Sequence, residues 1–251
     1  MRLFKLLAAA AAVLMSAAAA QAAGELVLVT GATGKSGRPT ISLLLSEGYK
    51  VRALVRDAAR ATDLGAGVEI VVGDVTKPET LPAAVKGVDY VISTIGAGRG
   101  QVAELVDYKG TADLIDAAKA AGVKQFVLMT SMKSGSEDTN EFLNKNFGMV
   151  LMWKGKGEEH LRKSGLPYTI VRPGGLQPFP NQPPCEAGKV GLKVAPYDGV
   201  GEGFVCRSDV AHVMVAALGN QDALGKTFSL VADPAGTVGG WKAAMAALPK
   251  D

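Results

Sequence analysis

Glycines stand at positions 31, 34 and 37, within Gly31-Ala32-Thr33-Gly34-Lys35-Ser36-Gly37. That spacing suits recognition of a pyrophosphate. One glycine permits a tight turn, another lets backbone N–H groups approach phosphate oxygens, and the last lets a helix pack closely on a strand. Such a turn has to join a strand to a helix, and both flanks qualify. Glu25-Leu26-Val27-Leu28-Val29-Thr30 is a short apolar run rich in β-branched residues, as expected of a strand buried on both faces. Thr40-Ile41-Ser42-Leu43-Leu44-Leu45 continues as a helix, with Pro39 in its first turn and Gly48 at its end. The start of that helix offers orphan amides and a positive dipole end to a phosphate. A second strand is expected from Tyr49 to Arg56, which completes the context that separates a dinucleotide turn from an ordinary glycine-rich loop.

The end of the second strand selects between the two nicotinamide dinucleotides. An acidic side chain there holds the ribose 2′-hydroxyl of NAD, whereas an arginine accommodates the 2′-phosphate of NADP. Here the chain runs Leu54-Val55-Arg56-Asp57, and Lys35 adds a cation in the glycine turn. NADP is the expected cofactor and NAD the alternative.

Further strands are expected at Val68–Val72, Tyr90–Gly96, Gln125–Ser131 and Tyr168–Arg172. Helices are expected at Leu81–Lys86, about Gln101–Ala121 and Met149–Lys163. Alternating units with apolar strands imply an α/β fold, a doubly wound parallel sheet of Rossmann-like form. Residues 23–251 make one NAD(P)-binding domain, of which 177–251 form a small C-terminal substrate lobe. Ligands on such sheets lie beyond the carboxyl ends of the strands. That places the interest at Gly31–Gly37, Arg56, Asp74-Val75, Thr94-Ile95-Gly96, Thr130-Ser131 and Pro173 to Leu176.

Several of these strings resemble one family. They are Val29-Thr30-Gly31-Ala32-Thr33-Gly34, Val51-Arg52-Ala53-Leu54-Val55-Arg56-Asp57, Gly73-Asp74-Val75 and Arg207-Ser208-Asp209-Val210-Ala211. The most specific are Trp153-Lys154 through Glu158, and Ser164-Gly165-Leu166-Pro167-Tyr168-Thr169-Ile170-Val171-Arg172-Pro173-Gly174-Gly175-Leu176. Together they resemble the NAD(P)-binding, NmrA-like branch of the atypical short-chain dehydrogenase/reductases, over about Leu26 to Asp233. The resemblance implies a cofactor set of Gly31, Thr33, Gly34, Lys35, Ser36, Gly37, Arg56, Asp74, Val75, Thr94, Ile95, Gly96, Lys154 and Pro173. Arg56 would meet the 2′-phosphate, and Asp74 and Val75 would border the adenine. Thr94 to Gly96 would follow the ribose and pyrophosphate, while Lys154 and Pro173 would lie toward the nicotinamide.

One departure bears on catalysis. Typical members carry a tyrosine acid/base four residues before the lysine, and the lysine lowers its pKa. Four residues before Lys154 stands Val150, and none of the five tyrosines has a lysine four residues later. Lys154 is then the one candidate catalytic residue; it either binds ribose or is a solvated helix lysine. Ser131 lacks the partner that would make it useful.

Gln177 to Val194, with Pro178, Pro180, Pro183 and Pro184, is expected to be a loop, either a flap over the nicotinamide end or a plain connection. Ser208 or Asp209 is the expected N-cap of the following helix. His160 is read as solvated and His212 as helix packing or surface, and no metal site is expected. Cys185 and Cys206 either pair or stay as free thiols.

The leader carries Arg2 and Lys5, an apolar run from Leu6 to Ala20 and the small-residue pattern Ala20-Gln21-Ala22, the parts of a secretory signal peptide. Residues 1–22 are expected to be cleaved, giving a periplasmic or secreted protein without a membrane span, or a cytoplasmic one if the leader is unused. Net charge is +3, falling to near neutrality without Arg2 and Lys5, so charge gives no case for nucleic-acid binding. Two function classes remain. One is an NADP-dependent oxidoreductase acting on a small molecule. The other is a dinucleotide-binding sensor or scaffold without turnover or substrate, with an epimerase or dehydratase as a weaker third.

Overall fold

In a computed structural model of the chain, residues 24–178 and 185–251 are described. The signal peptide expected at 1–22 and the tip of the proline-rich segment lie outside them. Eight strands form the main sheet: β1 (Leu26–Thr30), β2 (Lys50–Val55), β3 (Glu69–Val72), β4 (Tyr90–Ser93), β5 (Gln125–Met129), β6 (Tyr168–Pro173), β8 (Gly191–Pro196) and β10 (Lys226–Asp233). Their order is β3-β2-β1-β4-β5-β6-β10-β8, and all neighbours are parallel except β10 and β8. β7 (Gly175–Gln177) and β9 (Phe204–Cys206) pair separately. The chain therefore winds outward from β1 in both directions, the Rossmann-like arrangement expected of its alternating units.

Both faces are covered, which is why the strands are apolar at successive positions. Within β1, Val27 and Val29 point to one layer and Leu28 to the other, and all three are fully buried. The first layer packs α1 (Gly37–Ser46), α6 (Arg207–Ala216) and α7 (Trp241–Ala247) on the sheet through Ile41, Leu44, Val213, Met214 and Trp241. The second packs α2 (Leu81–Val85), α3 (Thr111–Ala120) and α5 (Val150–Ser164) through Leu81, Leu114, Ile115 and Leu161.

Three expectations need correction. First, Gln177–Val194 is not all loop. β7 ends at Gln177, and β8 pairs antiparallel with β10, matching Val194 to Leu230 and Leu192 to Ala232. The partner strand arrives from more than thirty residues downstream, so no local pattern announces the pairing. It also makes the 177–251 stretch continuous with the main sheet.

Second, the helix expected from Gln101 begins as a wider π-type segment, Glu104–Gly110, and becomes α-helical only at Thr111. Third, α6 is not capped by Ser208 or Asp209. Its N-cap is Cys206, and Asp209 lies inside the first turn, where its Oδ1 accepts from the Gly188 N–H at 2.8 Å. A short helix not foreseen, α4 (Phe142–Asn146), precedes α5.

Candidate functional site

The winding order reverses between β1 and β4, and the carboxyl ends of these parallel strands open on one cleft. It is lined by Gly31, Thr33 and Gly34 after β1, Arg56 and Arg60 after β2, Asp74 and Val75 after β3, and Thr94, Ile95, Gly96 and Gln101 after β4. Lys35, Ser36, Gly37, Lys154 and Pro173 do not line it. Ser36 and Gly37 are buried beneath the turn, and Lys35 is exposed beside it. The Pro173 carbonyl accepts from Met132 N.

The turn needs its glycines for separate reasons. Gly31 has φ +72°, and a Cβ there would lie 2.7 Å from Thr94 Oγ1. A Cβ on Gly34 would come within 2.9 Å of Gly31 O, to which the Gly34 N–H already donates at 2.9 Å. A Cβ on Gly37 would overlap Gly31 O, so only glycine lets α1 start against the turn. No side chain caps α1, and its first turn holds no acidic residue. Its positive end is left uncompensated, a setting that favours an anion.

At the end of β2, Arg56 and Arg60 are exposed, and neither guanidinium has a hydrogen-bond or ion-pair partner among the described residues. Asp57 does not neutralise Arg56. Its Oδ1 accepts from Ala59 N at 2.9 Å and caps the 3-10 turn Ala58–Arg60. Asp74 is likewise engaged, since Oδ1 accepts from both N and Oγ1 of Thr76 at 2.9 Å. Across the cleft, Thr94 N and Oγ1 each donate to Thr30 O at 3.0 Å and hold β4 to β1.

Lys154 approaches this loop from behind. Its Nζ lies 2.7 Å from Asp107 Oδ1 and 3.4 Å from Ile95 O. Asp107 sits on the π-type segment with its side chain fully buried, and its Oδ2 accepts from Ala97 N at 3.0 Å. Apart from the Lys154 ammonium, Oδ1 has no partner among the described residues. One carboxylate therefore fixes both the lysine and the loop that edges the cleft. Gly96 lies between, and a Cβ there would stand 3.5 Å from Nζ. Val150 is buried among Ala103 and Leu151 and presents no hydroxyl. Ser134 Oγ donates to Ser131 O and lies 3.3 Å from Ser131 N.

One turn beyond Lys154, Glu158 is fully buried. Its carboxylate accepts from Arg172 Nε at 3.0 Å and Nη2 at 2.6 Å, from Arg162 Nη2 at 2.8 Å and from Thr130 Oγ1 at 2.6 Å. This network locks α5 to the ends of β5 and β6, and so sets the height of Lys154.

At the far rim, α6 ties down both ends of the proline-rich segment. Arg207 Nη1 donates to Pro178 O at 2.8 Å, Cys206 forms a disulfide with Cys185, and Asp209 holds Gly188. Burial raises the Asp209 carboxyl above its ordinary range and lowers the Arg207 guanidinium. The pairing of Cys185 with Cys206 settles an alternative that sequence leaves open. His160 Nε2 meets Asp116 Oδ1 at 2.8 Å at the surface. No cluster of metal-ligating side chains occurs among the described residues.

Arg60, Gln101, Asp107 and Glu158 were missed from sequence. Arg60 and Glu158 do follow Arg56 and Lys154 by four residues, a weak clue. Asp107 is 47 positions from Lys154, and no spacing rule links them.

Residues 31–221 match the model of the NAD(P)H-binding family. Sanguinarine reductase from Eschscholzia californica is 35% identical, with 84% of this chain and 90% of that protein aligned. An NAD(P)H azoreductase from Xenophilus azovorans is 37% identical over 59% of this chain and 48% of its own length. Among solved structures, the anaerobillin reductase ChuY of Escherichia coli O157:H7 superposes with a TM-score of 0.66 at 31% identity, covering 84% of this chain and 98% of that one.

Proposed function

This chain belongs to the NAD(P)H-binding family, and from that premise we propose that it is an NADP(H)-dependent reductase of a small molecule. When bound, the reduced dinucleotide supplies a hydride from its nicotinamide ring. The amides of the 31–37 turn and the start of α1 receive the pyrophosphate, as orphan helix donors do. Arg56, with Arg60 beside it, takes the 2′-phosphate. Asp74 and Val75 border the adenine, and Thr94, Ile95 and Gly96 run along the ribose and pyrophosphate. Lys154, held by Asp107, and Pro173 do not line the cleft itself and would lie toward the nicotinamide end. Val150 cannot donate a proton, so protonation of the product is left to water. The described ends of the proline-rich segment, Pro178 and Cys185, are tied to Arg207 and Cys206 at the start of α6.

The observation carrying the choice of NADP is the pair of exposed guanidiniums at the end of β2, which have no partner among the described residues. The cradle itself fits a dinucleotide, because the glycines keep side chains out of the turn. The reductases among the relatives are named for different acceptors, so the shared element is reduction rather than one substrate.

Calorimetric titration of the chain lacking residues 1–22 tests the reading. NADPH is expected to bind more tightly than NADH. Replacing Arg56 and Arg60 by alanine should weaken NADPH at least about tenfold, the loss of one charge-assisted contact, and leave NADH unchanged. Equal affinities in the unaltered protein would refute the assignment. Oxidation of NADPH against a carbonyl panel then separates a reductase from a binding protein without turnover.

No helix among the described residues is long and apolar enough to cross a membrane. Export through the leader at 1–22 is part of the same proposal. The Cys185–Cys206 disulfide supports it, because such bonds persist in oxidising compartments. An exported chain would take up its nucleotide after crossing. Mass measurement of the N-terminus in the periplasmic fraction checks this, and a cytoplasmic protein retaining Met1 would overturn it.

A further inference from the structure

Beyond Gly96 the cleft meets a second hollow of about 600 Å³, walled by residues 97–103 and 146–148. That volume is within the range of small-molecule sites, about 300–1,000 Å³. Gln101 belongs to both spaces, so the two adjoin. The hollow begins at Ala97, whose amide is held by Asp107, the same carboxylate that holds Lys154.

The lining is mixed: Gln101, Asn146 and Arg99 stand beside an apolar group. Val102 and Phe147 are 57% and 48% exposed, and Ala97 and Ala103 lie beside them. Val150 packs behind Ala97 and Ala103. The position where relatives of the resembled family place a tyrosine is here a buried valine behind the lining.

The walls are braced. The Asn144 side chain donates to Ser136 O and Asp138 O and accepts from Leu151 N, and its backbone carbonyl accepts from Met149 N. Gln101 Oε1 accepts from Gly98 N at 2.9 Å. Among the described residues, one formal charge lines the hollow. Arg99 is exposed and has no hydrogen-bond or ion-pair partner among the described residues. No carboxylate is among the residues lining the hollow, and the nearby-in-sequence acids Glu104 and Asp107 pair with Lys109 and Lys154.

We infer that this hollow is the acceptor site, built for an apolar, ring-bearing molecule with an anionic substituent. Phe147 offers a ring face and Val102 an aliphatic one, while Arg99 receives the anion, carboxylate or sulfonate. The inference rests on the reductase reading. The acceptor gains a hydride from the reduced nicotinamide and one proton from water, and the dinucleotide is left oxidised.

Two probes sharing one ring system test it on the nucleotide-free protein: 8-anilinonaphthalene-1-sulfonate and uncharged N-phenyl-1-naphthylamine, each titrated by fluorescence. Arg99→Gln is expected to weaken the sulfonate about tenfold, one charge-assisted contact, and to leave the uncharged probe within about twofold. Val102→Ser combined with Phe147→Ser should weaken both. Val72→Ser, an exposed apolar residue on β3, should change neither. Equal effects of Arg99→Gln on the two probes, or no effect of the Val102/Phe147 pair, would overturn the assignment. NADPH titration of the same proteins keeps the two ideas apart. Tight NADPH with these probe outcomes reversed defeats the acceptor site alone, and absent NADPH binding defeats the reductase reading while the probe data still judge the hollow.

Discussion

Replacing Asp107 by alanine removes the carboxylate between Lys154 and the loop after β4. The charges are 2.7 Å apart, an attraction of about 6 kcal/mol at an effective dielectric of 20. Much of it offsets the cost of dehydrating both groups, and removing one member of a buried pair costs about 3–5 kcal/mol. Lys154 keeps 14% of its side chain exposed and can turn toward water, which puts the expected loss near the lower end, about 3 kcal/mol. The Ala97 amide loses its acceptor in the same change. The assay is urea unfolding of Asp107→Ala, Lys154→Ala and the double variant. Coupling of about 1–3 kcal/mol is expected within the cycle. NADPH affinity should fall in both single variants, because the loop edging the cleft is released. Losses that add to within about 0.5 kcal/mol would refute the claim that the two residues act as a pair.

Gly37→Ala should lower stability by at least about 2 kcal/mol through overpacking and abolish nucleotide binding, since its Cβ overlaps Gly31 O; unfolding and calorimetry check both. Glu158→Ala removes the buried carboxylate of the Arg172 guanidinium, which keeps its contact to the partly exposed Asp198 at 3.1 Å, so a loss near the lower end of about 3–5 kcal/mol is expected in chemical denaturation. Cys185→Ser with Cys206→Ser opens a link spanning 21 residues, worth about 3 kcal/mol on loop entropy, and dithiothreitol should reproduce the effect on the unaltered protein. Burial raises the Asp89 carboxyl, but the Leu26 amide and Lys124 outweigh it and hold the group below its ordinary range. Its stabilisation is therefore complete above the unfolded pKa of about 3.9 and is lost as pH falls through the lower folded value. Acid unfolding of Asp89→Asn should show a shallower pH dependence than the unaltered chain.

The sequence by itself determined a doubly wound, mostly parallel sheet and the strand exits of interest, while the strand order came with the tertiary structure. Strand exits, glycine turn and Arg56 are local features, because a buried parallel strand must be an apolar run and a phosphate turn must be glycine. What lay beyond local pattern depended on partners far away in the chain. β8 is a strand because β10 reaches it, and Asp209 fastens Gly188 instead of capping its own helix. Asp107 and Glu158 read as unremarkable acids until folding brings Lys154, Arg162, Arg172 and Thr130 against them. A buried charge is stable only when paired, and pairing across 14 to 47 residues is decided by how the helices settle on the sheet. Hydrophobic period records which face is buried, but not which charges meet there.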